Sequence, residues 1–190
     1  MTNPRLDQET WEGRENTEEY LALKGAIEDV RQMVWRTLRY WKETAGIRNL
    51  YFDPKDDATI HTVFKNIMPH WDRNQDFSGK MGRFRIIGHD SFSVTGRGLA
   101  GTNNSLDDDG DPEDFPDDPT QGKARPYAMA YFCPEAFNGQ EYTRRLKDRK
   151  CEQFISSITR TYHLHWKMDS LAQTMLHEIM HFVSTLIQVP

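Results

Sequence analysis

His177-Glu178-Ile179-Met180-His181 sets two imidazoles four residues apart with a carboxylate beside the first. On an α-helix, residues i and i+4 project from nearly the same side, so the two ring nitrogens can converge on one Zn²⁺. Glu178 then lies next to the metal's open position, where a carboxylate can take a proton from bound water. A tetrahedral catalytic zinc takes three protein ligands plus water, and this HExxH motif supplies two. The third ligand is open. So is a plainer reading, in which both His are merely hydrogen-bonded on a core helix.

The element that must carry the motif is legible around it. Ser170 with Gln173 forms an S-x-x-Q capping box, which starts a helix just before Leu171. Residues 171–187 run without Gly or Pro, and Leu171, Met175, Leu176, Ile179, Phe182, Val183 and Leu186 give a broad apolar surface. A helix lying under a cleft is the expectation, and it favours the metal reading.

At 190 residues the chain is expected to form a single domain with ample material for a core. The net charge is −5, but residues 107–118 hold eight acidic side chains and no basic one, so the acidity is local. No basic face suggests nucleic acid as a partner. Arg144-Arg145-Leu146-Lys147-Asp148-Arg149-Lys150 reads as a solvated helix surface rather than a phosphate site. No apolar run approaches ~18 residues, so no membrane span is expected. The first ten residues are polar and lack the pattern of a signal peptide. Cys133 and Cys151 permit one disulfide, and their spacing is not that of a zinc-binding pair.

Further upstream, Asn16 caps a helix with Glu19 in the capping-box position. Tyr20, Leu23, Ile27, Val30, Val34, Leu38 and Trp41 recur at three and four spacing, and Ala45-Gly46 supplies a stop. The expected helix is about thirty residues and ~45 Å long. Asp57 caps a second helix with Ile60, Val63, Phe64 and Ile67 on one face, ended by Pro69. Residues 82–88 and 127–132 read as short strands. Between them lie a Gly/Asn/Ser-rich stretch from Gly96 to Ser105 and the acidic segment 107–118. That segment departs from the EF-hand order and is expected to be a solvated, mobile insertion. Residues 141–158 are helix-compatible, and His163 and His165 share a face if their segment is extended.

Thr174-Met-Leu-His-Glu-Ile-Met-His-Phe182 resembles the HExxH helix of the deuterolysin-like (aspzincin) metallopeptidases of fungi, including the lysine-specific metallo-endopeptidase branch. Tyr131-Phe132-Cys133-Pro134-Glu135-Ala136-Phe137 is similar to that family's apolar strand ending in Cys-Pro and an aromatic. The likeness spans roughly residues 20–187, strongest in the last sixty. It implies His177 and His181 as zinc ligands, Glu178 as general base, and a disulfide between Cys133 and Cys151. It also implies a secreted, extracellular protein. The family takes its third ligand from an Asp in a downstream Gly-Thr-x-x-Asp segment, assisted by a Tyr, and the sequence reaches Pro190 before either. Three expectations follow: a chain incomplete at its C-terminus, a substitute ligand such as His163, His165 or an acid of 107–118, or a zinc-binding relic without catalysis.

The resulting expectation is an α+β, zincin-like fold. A helical N-terminal portion and a small twisted sheet would cover the HExxH helix. The expected activity is that of a monomeric Zn²⁺-dependent metalloendopeptidase acting on protein or peptide substrates, with no nucleic-acid or membrane partner. The alternative is a non-catalytic zinc-binding or interaction protein.

Overall fold

The computed structural model describes residues 4–6, 11–49, 52–78, 81, 84–87, 100–104, 128–138, 140–143, 145–148 and 170–186. In chain order the elements are β1 (Arg5–Leu6), α1 (Glu18–Arg39), α2 (Ala45–Arg48), α3 (Asp57–Ile67), β2 (Phe84–Ile87), β3 (Ala100–Asn104), β4 (Ala128–Phe132), α4 (Gln140–Thr143) and α5 (Leu171–Leu186). Short 3-10 turns precede α3 and flank α4. Helices and one small sheet share a single core.

α1 starts one residue later than Asn16 as cap would place it. Thr17 accepts the Tyr20 amide at 3.3 Å, and Glu18 and Glu19 in the first turn and Arg36 and Arg39 in the last complement the helix dipole. The apolar stripe falls where the spacing puts it: Leu23, Val30, Val34 and Leu38 are buried, with Ala26 beside them. The helix is 22 residues rather than thirty. It stops because the chain folds back at Tyr40–Thr44: the Thr44 hydroxyl donates to the Tyr40 carbonyl at 2.8 Å, and Arg48 donates to the Trp41 carbonyl. Ala45-Gly46 thus opens α2 instead of ending α1. Trp41 leaves the stripe and sits between the Arg48 guanidinium, 3.7 Å from its ring centroid, and the His61 ring at 4.5 Å. α3 begins at Asp57 after a 3-10 turn capped by Asp53, whose carboxylate accepts the Lys55 amide at 3.0 Å. Asp57, expected as the cap, instead accepts Trp41 Nε1 at 3.1 Å and Arg48 Nε at 3.0 Å.

The sheet order is β1-β2-β4-β3. β1 and β4 both lie parallel to β2, with Phe84 opposite Ala128 and Ile87 opposite Tyr131. β3 runs antiparallel to β4 and forms the edge, pairing Thr102 with Ala130 and Gly101 with Tyr131. β4 alternates as a half-covered strand must: Ala128, Ala130 and Phe132 are buried, while Met129 and Tyr131 are half-buried. Gly101 suits its position, because a Cβ there would collide with the Tyr131 ring across the pair. β3 lies within the Gly/Asn/Ser-rich stretch from Gly96 to Ser105. Its Gly and Asn residues are poor strand formers, and pairing with β4 overrides that preference.

α5 packs against α1 on one side and β3 on another. Its Met175, Ile179 and Phe182 are buried among the same core residues as Leu23, Val30 and Phe84, with Phe84 and Phe182 ring centroids 5.9 Å apart. A strap of chain from Pro134 to Asp148 ties these layers together. Tyr142 hydrogen-bonds Thr174 on α5, and Arg145 reaches the buried Asp29 on α1 through Nε at 2.9 Å and Nη2 at 2.8 Å. The Leu146 amide adds a third bond to Asp29 at 2.8 Å. The basic run expected to be a solvated helix surface therefore contributes one of its cations to a buried ion pair. Of the segment 141–158 expected as helix, α4 covers 140–143 and a 3-10 turn covers Leu146–Asp148. The remainder lies outside the described residues, as do the acidic segment 107–118, His163, His165 and Cys151.

Candidate metal centre

α5 is set by its cap. Ser170, buried at the N-terminus, accepts the Gln173 amide at 3.2 Å through Oγ and donates that hydroxyl to Gln173 Oε1 at 3.2 Å. The expected capping pair forms, with the Gln173 side chain returning to the Ser170 hydroxyl. From that start the helical period assigns the faces. Leu171, Ala172, Met175, Ile179 and Phe182 turn into the core, and His177 and His181 turn outward and are exposed.

Four-residue spacing brings the two imidazoles together. His177 Nε2 and His181 Nε2 are 3.0 Å apart, with ring centroids 4.5 Å apart and planes at 84°. Both Nε2 atoms thus converge on one point. At that separation a neutral pair shares one hydrogen: one Nε2 carries it and the other accepts it, so the second ring holds its own proton on Nδ1. Two ligands of a tetrahedral zinc, each at ~2.0–2.1 Å, stand about 3.3 Å from one another. The observed separation is short of that by a few tenths of an ångström, which a small rotation of either ring supplies. The pair fits two of the three protein positions of such a site.

Unlike His177 and His181, Glu178 is buried, at 5% exposure. It faces the edge strand, where Thr102 Oγ1 donates to Glu178 Oε2 at 2.7 Å. The same hydroxyl is 3.4 Å from the Glu178 carbonyl oxygen. Among the described residues this carboxylate has no cationic partner and no second hydrogen-bond donor. A carboxylate withdrawn from water and left with one lone-pair set unused is costly in a purely structural role.

The structure therefore brings His177 and His181 together, while Glu178, the next residue on the helix, turns its carboxylate to Thr102 of β3. Among the described residues no third His, Cys, Asp or Glu joins them. Cys133 is buried at the end of β4, and as a thiol it is pushed up from its ordinary value by burial and then by the Glu135 charge, which disfavours a nucleophilic role. The predicted bridge to Cys151 lies outside the described residues. A crevice of ≈ 330 Å³ lined by Leu6, Trp11, Glu15 and Tyr20 includes none of the motif residues.

Sequence reasoning missed Thr102. It lies in the Gly/Asn-rich stretch, 76 positions from Glu178, and only the pairing of β3 with β4 turns it towards α5. The single β-branched residue in Ala100-Gly101-Thr102-Asn103-Asn104 was the available signal. No helix among the described residues is long and apolar enough to cross a membrane. Comparison of the chain with protein-family models, with curated proteins and with solved structures returns no match.

Proposed function

We propose that this chain is a zinc-dependent metalloendopeptidase. One observation carries the reading: two exposed imidazole nitrogens converge at 3.0 Å on the helix that also carries the buried Glu178 carboxylate, whose one hydrogen-bond donor among the described residues is a neutral hydroxyl. His177 and His181 would hold the metal, with a third ligand from outside the described residues. A zinc ion bound there would supply Lewis acidity towards a carbonyl and lower the pKa of its water towards ~7. Glu178 accepts a proton as water attacks the scissile carbonyl, and it delivers that proton to the leaving amine. Both transfers need a carboxylate whose position is fixed while one oxygen stays available.

The architecture supports the same reading. A mixed sheet with one antiparallel edge strand, packed on the HExxH helix, agrees with a zincin-like arrangement and with the likeness to the deuterolysin-like family. The outer side of β3 has no strand partner among the described residues. An extended peptide can add to such an edge through main-chain hydrogen bonds, which fits a protein substrate. A secreted location follows from the family likeness alone.

That the described residues hold two metal-ligating His and no third ligand beside them favours a second reading, a zinc-binding protein without catalysis. Two His alone should hold zinc weakly. The test measures zinc content, zinc affinity and hydrolysis of a denatured protein by the full chain and by Glu178→Gln. The peptidase reading expects tight zinc in both and turnover only in the wild type. Equal turnover by the two proteins defeats it, and zinc held only weakly by an inactive wild type favours the second reading.

A further inference from the structure

We propose that Thr102 is a positioning residue for Glu178, fixing one carboxylate oxygen so that the other faces the space beside His177 and His181. Thr102 pairs with Ala130, whose side chain is buried against the helices, so both residues lie on the face turned to α5. From there its hydroxyl reaches Glu178 Oε2 at 2.7 Å, within the short range of a hydrogen bond to an ionised acceptor. The hydroxyl has one hydrogen, and the 3.4 Å approach to the Glu178 carbonyl cannot compete with that bond.

Nothing else described restrains the carboxylate. Without Thr102 the Glu178 side chain keeps its helix position but is free to rotate about its terminal torsion, which has broad, two-fold preferences. The donor sits on the edge strand and not on α5. The orientation of the carboxylate therefore depends on β3 being in register over the helix. Because the outer side of β3 has no strand partner among the described residues, a chain that pairs with it holds Thr102, and through it the carboxylate, in place. Partners of this kind around a metal site typically change activity by about 10- to 100-fold when removed.

The kinetic consequence rests on the peptidase reading, whereas the hydrogen bond does not, and the experiment separates the two. Thr102→Val keeps the shape of the side chain and removes the donor, and Thr102→Ser keeps the donor. In the zinc-loaded full chain, Thr102→Val should lower kcat by about 10- to 100-fold with KM within about twofold and zinc content unchanged. Thr102→Ser should recover most of that loss. Independently of turnover, NMR of the wild type should show a Thr102 hydroxyl proton protected from exchange, absent in Thr102→Val and exchanging freely in Glu178→Ala. If Thr102→Val does not fold, Thr102→Ala replaces it, since it adds no methyl beside the carboxylate. A folded, donor-less variant with wild-type kcat overturns the proposal. So does a Thr102→Ser protein as impaired as Thr102→Val, or a loss of zinc that accounts for the whole effect. If the wild type never hydrolyses peptide, the peptidase reading fails and the hydroxyl proton alone decides whether Thr102 holds Glu178. An unprotected proton then sinks the proposal too.

Discussion

Arg145→Ala should be among the most damaging single changes outside the HExxH helix. It removes the hydrogen bonds at 2.9 and 2.8 Å that Asp29 Oδ1 accepts. Asp29, at 5% exposure, is left with the Leu146 amide. Breaking a fully buried ion pair from one side costs about 3–5 kcal/mol. The Arg145 side chain is 29% exposed, so water can enter where it stood, and about 2–3 kcal/mol is the expected loss. In a chain of this length that corresponds to a fall in Tm of about 5–10 °C. Asp29→Asn keeps an acceptor for the Leu146 amide and should cost less, about 1–2 kcal/mol. The double variant should be better than the sum of the singles by about 1–2 kcal/mol, since the stranded charge is gone. Gly25 supplies an internal control: a Cβ there meets Arg145 Cδ at 2.7 Å. Gly25→Ala should therefore destabilise the wild type, yet stabilise Arg145→Ala by up to about 1 kcal/mol through helix propensity. Urea unfolding followed by circular dichroism reads all six proteins. A stability of Arg145→Ala within about 0.5 kcal/mol of the wild type, or strict additivity with Asp29→Asn, would refute the reasoning.

Two further outcomes are expected. Burial, with a smaller contribution from Lys65, holds the His61 imidazole below its ordinary value, against an opposing pull from Asp57. The unfolded chain then binds the proton more readily, so His61's contribution to stability is present above pH ~6.5 and is lost as pH falls below it. Melting curves between pH 7.5 and 5 should fall less steeply for His61→Gln than for the wild type, and parallel curves would remove His61 as the cause. Ser170→Ala deletes the cap of α5 and should cost about 1 kcal/mol, with Ser170→Asp restoring most of it. An unchanged melting temperature in the alanine variant would show that packing alone sets the start of that helix.

Local chemistry made α5 readable in advance. Its cap, its apolar face and its two outward His depend on spacings of three and four residues, which survive any tertiary arrangement. The stripe of α1 was readable for the same reason, from Leu23 to Leu38. Its end was not, because Tyr40–Thr44 folds back on bonds from Arg48 and Thr44 that compete with helix continuation. β3 was hidden by composition: Gly101, Asn103 and Asn104 argue against a strand, and the partner that makes one of them lies at 128–132. The pairing of Asp29 with Arg145 spans 116 positions. Before folding, Arg145 is one cation in a basic run and Asp29 one acid on an apparently polar helix face. The partner of Glu178 was illegible on the same grounds.

The isolation of Glu178 also sets a limit on how stable this molecule can be. Its carboxylate is held out of water with one neutral donor among the described residues, at a position where a Leu or Met of similar size would carry no electrostatic penalty. An apolar residue there should raise the melting temperature, so selection for robustness alone would not favour a carboxylate. Laboratory selection for thermal tolerance, run without any demand for activity, should reach this position early. The substitutions it collected would separate the residues that keep the chain folded from those it carries for another purpose.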